Sequence, residues 1–106
     1  KAKDFEAEIE LNDSVTAKAI KDALPLEGSA QCWQEEVYFE IPVEKELEDG
    51  TPSVEPGDVT YWPPGKCFCV FYGQSQPVSA VTIIGRVKTN LDRFSEISEG
   101  DKIVLE

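Results

Sequence analysis

The sequence predicts a mainly β domain of the α+β class, a closed β-barrel with one principal helix plugging an end and a short helical turn near the C-terminus. Three observations predict it. Short apolar runs with period-two alternation recur along the chain, turns rich in glycine and proline separate them, and only residues 15–24 carry sustained helical spacing. The 106 residues leave room for one domain, read as residues 1–106, with a core large enough to need neither disulfides nor a metal.

Each element follows from local chemistry. The run Phe5-Glu-Ala-Glu-Ile-Glu-Leu11 alternates apolar and acidic residues, which makes a half-buried strand with Phe5, Ala7, Ile9 and Leu11 inward. Asn12-Asp13 supplies a helix cap, and Val15, Ala19, Ile20, Ala23 and Leu24 share a helix face that Pro25 ends. Leu26, Gly28, Ala30 and Cys32 alternate as one strand, and Val37, Phe39 and Ile41 as the next, with a hairpin turn around 33–36. Residues 43–57 lack sustained periodicity and form the longest loop. A short strand at 59–62, a tight Pro63-Pro64-Gly65 turn and an apolar strand at 67–72 follow, the last needing cover on both faces. A polar loop (73–80), a strand (81–88), a helical turn (91–97) and a closing strand (102–106) complete the chain. One strand entry is used twice, in Glu55-Pro-Gly57-Asp58-Val59 and Ser98-Glu-Gly100-Asp101-Lys-Ile103, where glycine provides a positive φ and aspartate bonds the turn's amides.

Composition excludes several functions. Acids outnumber bases 21 to 10, a net charge of −11, so nucleic acid and anionic membranes would be repelled and neither is expected as a partner. No histidine is present, which removes imidazole bases, Ser-His-Asp and Cys-His nucleophiles, and histidine metal ligands. Cys32, Cys67 and Cys69 form no disulfide framework, and an odd count points to a reduced, cytoplasmic protein. Cys67-x-Cys69 falls short of a four-ligand zinc set and reads as two small buried strand residues, so no metal, cofactor or catalytic residue is assigned. No run reaches the ~20 apolar residues of a membrane span, and no signal segment opens the chain.

The charge is concentrated. Between positions 34 and 58 lie nine acids and one base, Lys45. Such a run either attracts a cation or basic peptide or forms solvated surface that aids solubility. The aromatics are concentrated too, with Trp33, Tyr38, Phe39, Tyr61, Trp62, Phe68, Phe71 and Tyr72 all between positions 33 and 72. Those not used in the core would floor a site for an apolar or proline-bearing ligand.

Two sets of motifs carry a resemblance. Ile9-Glu-Leu11-Asn-Asp13 with the helix to Leu24, and Thr82-Ile-Ile-Gly85-Arg86-Val87 followed by Leu91, Phe94 and Ile97, resemble the opening and closing segments of cyclophilins. More specifically, Trp33, Glu36-Val-Tyr38-Phe39-Glu40-Ile41-Pro42-Val43, Gly57-Asp58-Val59-Thr-Tyr61-Trp62-Pro63-Pro64-Gly65 and Cys69-Val-Phe71-Tyr72-Gly73-Gln74-Ser75 are similar to small prokaryotic cyclophilin-like proteins. The resemblance implies a cyclophilin-type barrel and no agreed reaction. Cyclophilins isomerise X-Pro bonds with an arginine in a Phe-His-Arg-Val-Ile strand; the matching strand here is Val37-Tyr38-Phe39-Glu40-Ile41, with Phe39 or Glu40 in that place. An ionised Glu40 cannot donate the arginine's hydrogen bond. The family's methionine and glutamine fall in the acidic loop, and its histidine would lie near Val81. Arg86 and Arg93, the only arginines, match non-catalytic positions, which favours structural or surface roles.

The reading is therefore a binding module for a short peptide or small molecule, with Phe39, Glu40, Trp62, Phe71, Tyr72 and Gln74 as ligand-binding residues. Its alternatives are a weak or atypical prolyl isomerase and a self-associating structural subunit, such as a homodimer.

Overall fold

The computed structural model describes Ala2 and residues 5–106. In chain order the elements are β1 (Ile9–Leu11), α1 (Val15–Ala23), β2 (Leu26–Ser29), β3 (Gln31–Trp33), β4 (Glu36–Glu40), β5 (Asp58–Trp62), a 3-10 turn (Pro63–Gly65), β6 (Cys67–Phe71), β7 (Thr82–Val87), a second 3-10 segment (Leu91–Glu96) and β8 (Lys102–Leu105). The mainly β, α+β reading holds. The strands make an antiparallel six-stranded sheet in the order β1-β7-β5-β6-β4-β3 and a two-stranded sheet, β2-β8.

The expected closed barrel is corrected: among the described residues neither sheet closes on itself. The run predicted as one strand from Leu26 to Cys32 serves two sheets instead. Leu26–Ser29 pairs with β8, Gln31–Trp33 pairs with β4, and the buried Ala30 between them bonds the β8 turn through Asp101 O (2.7 Å) and Gly100 N (2.8 Å). At the other edge, the alternating run from Phe5 becomes strand only at Ile9, where β7 offers a partner for three residues. Alternation sets which side chains face inward; strand pairing also requires a neighbour at the right register.

The helix is where expected, with two changes. Ser14 rather than Asn12-Asp13 is the cap, its Oγ accepting from Ala17 N at 3.1 Å, while Asn12 Oδ1 accepts from Ser14 N. Thr16, Ala17 and Ile20 form the buried face, and Val15 is left 60% exposed. Leu24 takes the extended backbone that a following proline demands. The repeated strand entry is present at both sites. Gly57 and Gly100 have φ of 96° and 93°, and the carboxylates of Asp58 and Asp101 accept from Glu55 N (2.8 Å) and Ser98 N (2.9 Å).

Period-two alternation across the six-stranded sheet separates two cores. One face presents Val37, Phe39, Val59, Tyr61, Phe68, Val70 and Ile84 to the helix and the small sheet. The opposite face presents Cys67, Cys69 and Phe71 to Val54 and Val81, with Tyr38 and Trp62 partly buried beside them. All five residues of β6 are buried, as its continuous apolar run requires.

Loop 43–57 covers part of that second face. It is tied down by a Thr51–Val81 bridge, by Gln76, whose side-chain amide bonds both N and O of Val54, and by Glu48 N donating to Thr82 Oγ1. The fully buried Tyr61 reaches across to donate to Val43 O and accept from Lys45 N. Tyr61→Phe leaves that buried carbonyl without its donor, so it is expected to cost about 1–3 kcal/mol in urea unfolding with an unchanged m-value. A loss below a few tenths of a kcal/mol would show that this bond does not hold the loop.

Candidate functional site

The second face leaves a pocket where its loop cover is incomplete. Strand register builds the floor in rows. Trp33 on β3 lies opposite Glu36 on β4, and Glu36 opposite Phe71 on β6; in the next row Tyr38 lies opposite Cys69, and Cys69 opposite Thr60 on β5. A third row aligns Glu40, Cys67 and Trp62. Side chains in such rows stand close enough to touch, and the two-residue period brings every second residue to the same face. Pro77, Val78 and Val81 form the wall, enclosing about 160 Å³. Trp62 is oriented by a 2.8 Å bond from its indole N–H to Ser79 Oγ, and Gly65 packs against its ring so closely that a Cβ there would collide.

One charged group lines the pocket: Glu36, 8% exposed and without a cationic partner among the described residues. Burial raises its pKa above the ordinary glutamate value, an effect that the neighbouring Cys69 thiol partly offsets. The Cys69 thiol is pushed well above its ordinary value, first by its own burial and then by the neighbouring carboxylate. Both effects oppose thiolate formation, so Cys69 is a poor nucleophile. Cys67 on the same face is likewise raised by burial and by Glu40 and Glu36. The Thr60 hydroxyl, fully buried beside Cys69, has no hydrogen-bond partner of normal geometry.

The six residues expected to bind ligand divide between the two faces. Trp62 and the buried Phe71 line the pocket. Glu40 is exposed on the same face, one row beyond Tyr38. Phe39 points the other way, 3% exposed, with its ring 5.6 Å from that of Phe68. Tyr72 packs on that same main core, its hydroxyl reaching Gln34 O at 3.4 Å. Gln74 is exposed, and its backbone N–H donates to the Glu35 carboxylate at 2.7 Å. Glu36, Trp33, Tyr38 and Cys69 were not among the expected site residues. Their signal was phase, because Glu36 and Tyr38 alternate with the core residues Val37 and Phe39.

Neither arginine faces the pocket. Arg86 pairs with Asp58 and donates to Pro56 O at 2.9 Å. Arg93 bonds Glu96 at 2.9 Å and stacks over Phe5, 5.0 Å from the ring centre. The acidic segment also does structural work. Glu48 is poised at the start of α1, its carboxylate accepting from Val15 N, Thr16 N and Thr16 Oγ1, all at 3.0 Å, and these bonds lower its pKa.

A larger cavity of about 450 Å³ lies on the helix side of the sheet, lined by Phe5, Ile20, Val37, Phe39, Phe68 and Val70 among others. The glutamates in its lining, Glu6, Glu8 and Glu106, are all exposed residues of the terminal segments, and nothing polar projects from the sheet floor to orient a ligand. No group of acidic or cysteine residues among those described could hold a metal ion, and no helix is long and apolar enough to cross a membrane.

An open, largely antiparallel sheet packed on one helix, with an aromatic pocket on its outer face, defines the class. The comparisons give the family. A family model described as Cyclophilin-like matches residues 1–106, so the chain belongs to the cyclophilin-like family. The solution structure of a hypothetical protein from Archaeoglobus fulgidus is similar, with 38% sequence identity, a TM-score of 0.79, and coverage of 95% of this chain and 86% of that one. No curated protein matches the sequence.

The two placed glutamates have opposite pH signatures. Glu36 has a raised folded-state pKa, so its protonated form favours folding and that contribution is lost as pH rises through the folded value. Glu36→Gln is therefore expected to raise Tm at pH 7 relative to the parent, with the difference shrinking on acidification towards pH 4. Glu48 has a lowered folded-state pKa, so its contribution is present above the ordinary glutamate value and lost as pH falls through the lowered one. Glu48→Gln is expected to lower Tm at pH 7 and to converge with the parent in acid. Calorimetry of both variants across pH 3–8 checks the signs; parallel curves would contradict these environments.

Proposed function

We propose that this protein is a binding module that takes a small ligand, or one side chain of a short peptide, in the pocket between β4 and β6. The reading rests on one observation: aromatic side chains from β3, β4, β5 and β6 converge with a single buried carboxylate on a concavity that loop cover leaves open. Such a site, mostly apolar with one oriented polar group, is the usual form of a small-ligand pocket.

Efficient prolyl isomerisation is not proposed. That reaction is assisted by a cationic donor at the amide undergoing rotation, and the charged group in this pocket is an acceptor when ionised. Both arginines are occupied elsewhere.

Amide chemical-shift mapping with a panel of proline-containing peptides and small amines tests the reading. Saturable shifts are expected at residues 33–38, 62, 69–71 and 78–79, with no isomerase rate above background in a chromogenic peptide assay. Shifts confined to the Phe39–Phe68 side of the sheet would move the site to the other face. A catalytic rate that collapses in Phe71→Ala would replace the binding module with an enzyme.

A further inference from the structure

The ligand's chemistry can be taken further, and this step rests on the pocket being a binding site. We propose that the pocket recognises an organic cation: an alkylammonium head, carried on a small molecule or on a modified lysine side chain, held between the aromatic faces and the Glu36 carboxylate. Three features carry it.

The first is the unmatched charge. Among the described residues Glu36 is more than nine-tenths buried and has no cation against it, although five other carboxylates are matched to lysine or arginine within 3.5 Å. A buried carboxylate that lacks a partner is costly in the empty protein, and a ligand bringing the opposite charge removes that cost on binding. The second is the wall. Trp33, Tyr38, Trp62 and Phe71 all line the same small space. Aromatic faces attract cations through their quadrupole, tryptophan most strongly, and a methylated ammonium suits them because it is weakly hydrated. The third is size. About 160 Å³ is well below the volume of a drug-sized site and accepts a compact head group rather than a nucleotide or an extended peptide. One row beyond Tyr38 on the same face the exposed Glu40 adds a second negative charge, which favours cation encounter.

The Cys69 thiol fits the same scheme. It lies in the same pocket lining as Glu36, and burial keeps it protonated, so it adds no charge of its own.

The test uses the two indole N–H resonances, since both tryptophans of the chain line the pocket and together report on it completely. Choline is titrated against 3,3-dimethylbutan-1-ol, its neutral isostere, and against a short peptide bearing trimethyllysine. Choline is expected to shift both indole signals saturably and to bind at least tenfold tighter than the isostere. The peptide separates the two sources: tighter binding than choline assigns the head group to a protein side chain, weaker binding to a free small molecule. Glu36→Gln should abolish the preference over the isostere, whereas Glu10→Gln, an equal charge change at an exposed site paired with Lys88, should leave it intact. Trp62→Leu should weaken choline while sparing the fold, as read from the remaining amide spectrum. Equal affinity for choline and the isostere, or an undiminished preference in Glu36→Gln, would overturn the cation and leave the pocket standing. Silence of both indoles towards all three probes and towards the proline peptides would overturn the pocket itself.

Discussion

The structure depends on β6 being covered twice. A strand reading Cys-Phe-Cys-Val-Phe has apolar side chains on both faces, and all five are buried. One face is easily satisfied: Phe68 and Val70 join Phe39, Tyr61 and Ile84 in the main core, closed by α1 and the β2-β8 sheet. The other face has no helix or second sheet to meet. It is covered by loops, and loops supply cover only where side chains and backbone bonds pin them. Here Gln76, bonded to both backbone groups of Val54, and the Thr51–Val81 bridge do the pinning, while Tyr61 and Thr82 hold the start of the same loop from the helix side. Where they stop, Pro77, Val78 and Val81 wall a space over Phe71 and Cys69, and the pocket is the remainder.

The same constraint explains which parts of the molecule were legible in its residues. Strands, turns and the helix are encoded by neighbours in sequence, so β4 through β7, the Pro63–Gly65 turn and both Gly-Asp entries lie close to their expected places. Closure of the sheet was not legible, because pairing joins segments far apart and Ala30 hands its run from one sheet to the other. Nor was the division of the aromatic band. Periodicity states that Phe39 and Tyr38 face oppositely, but when both faces of a sheet are apolar it does not say which is the interior. Phe39 and Tyr72 were therefore grouped with Trp62 and Phe71, from which the sheet separates them.

Charge followed a similar logic. The acidic segment looked uniform in composition, yet its members occupy different environments. Glu48 satisfies the open amides of a helix start, Asp58 anchors a turn and Arg86, Glu35 orders the backbone at Gln74, and Glu36 is withdrawn into the pocket. Local geometry decides whether a carboxylate gains or loses from folding, and Glu36 and Glu48 fall on opposite sides of that division. The family fold is thus retained, while the outer face carries a buried carboxylate and both arginines pair with acids elsewhere.

The central claim is that Glu36 is an ionisable group set among aromatic side chains, with no cation beside it among the described residues. Side-chain carboxyl ¹³C NMR, following each glutamate through a pH titration of the folded protein, tests it directly. The account predicts that Glu36 titrates above the exposed glutamates, with its midpoint coupled to shifts at Phe71 and Trp33. A midpoint at or below theirs would mean that the carboxylate is solvated or already paired, and would contradict the site as described.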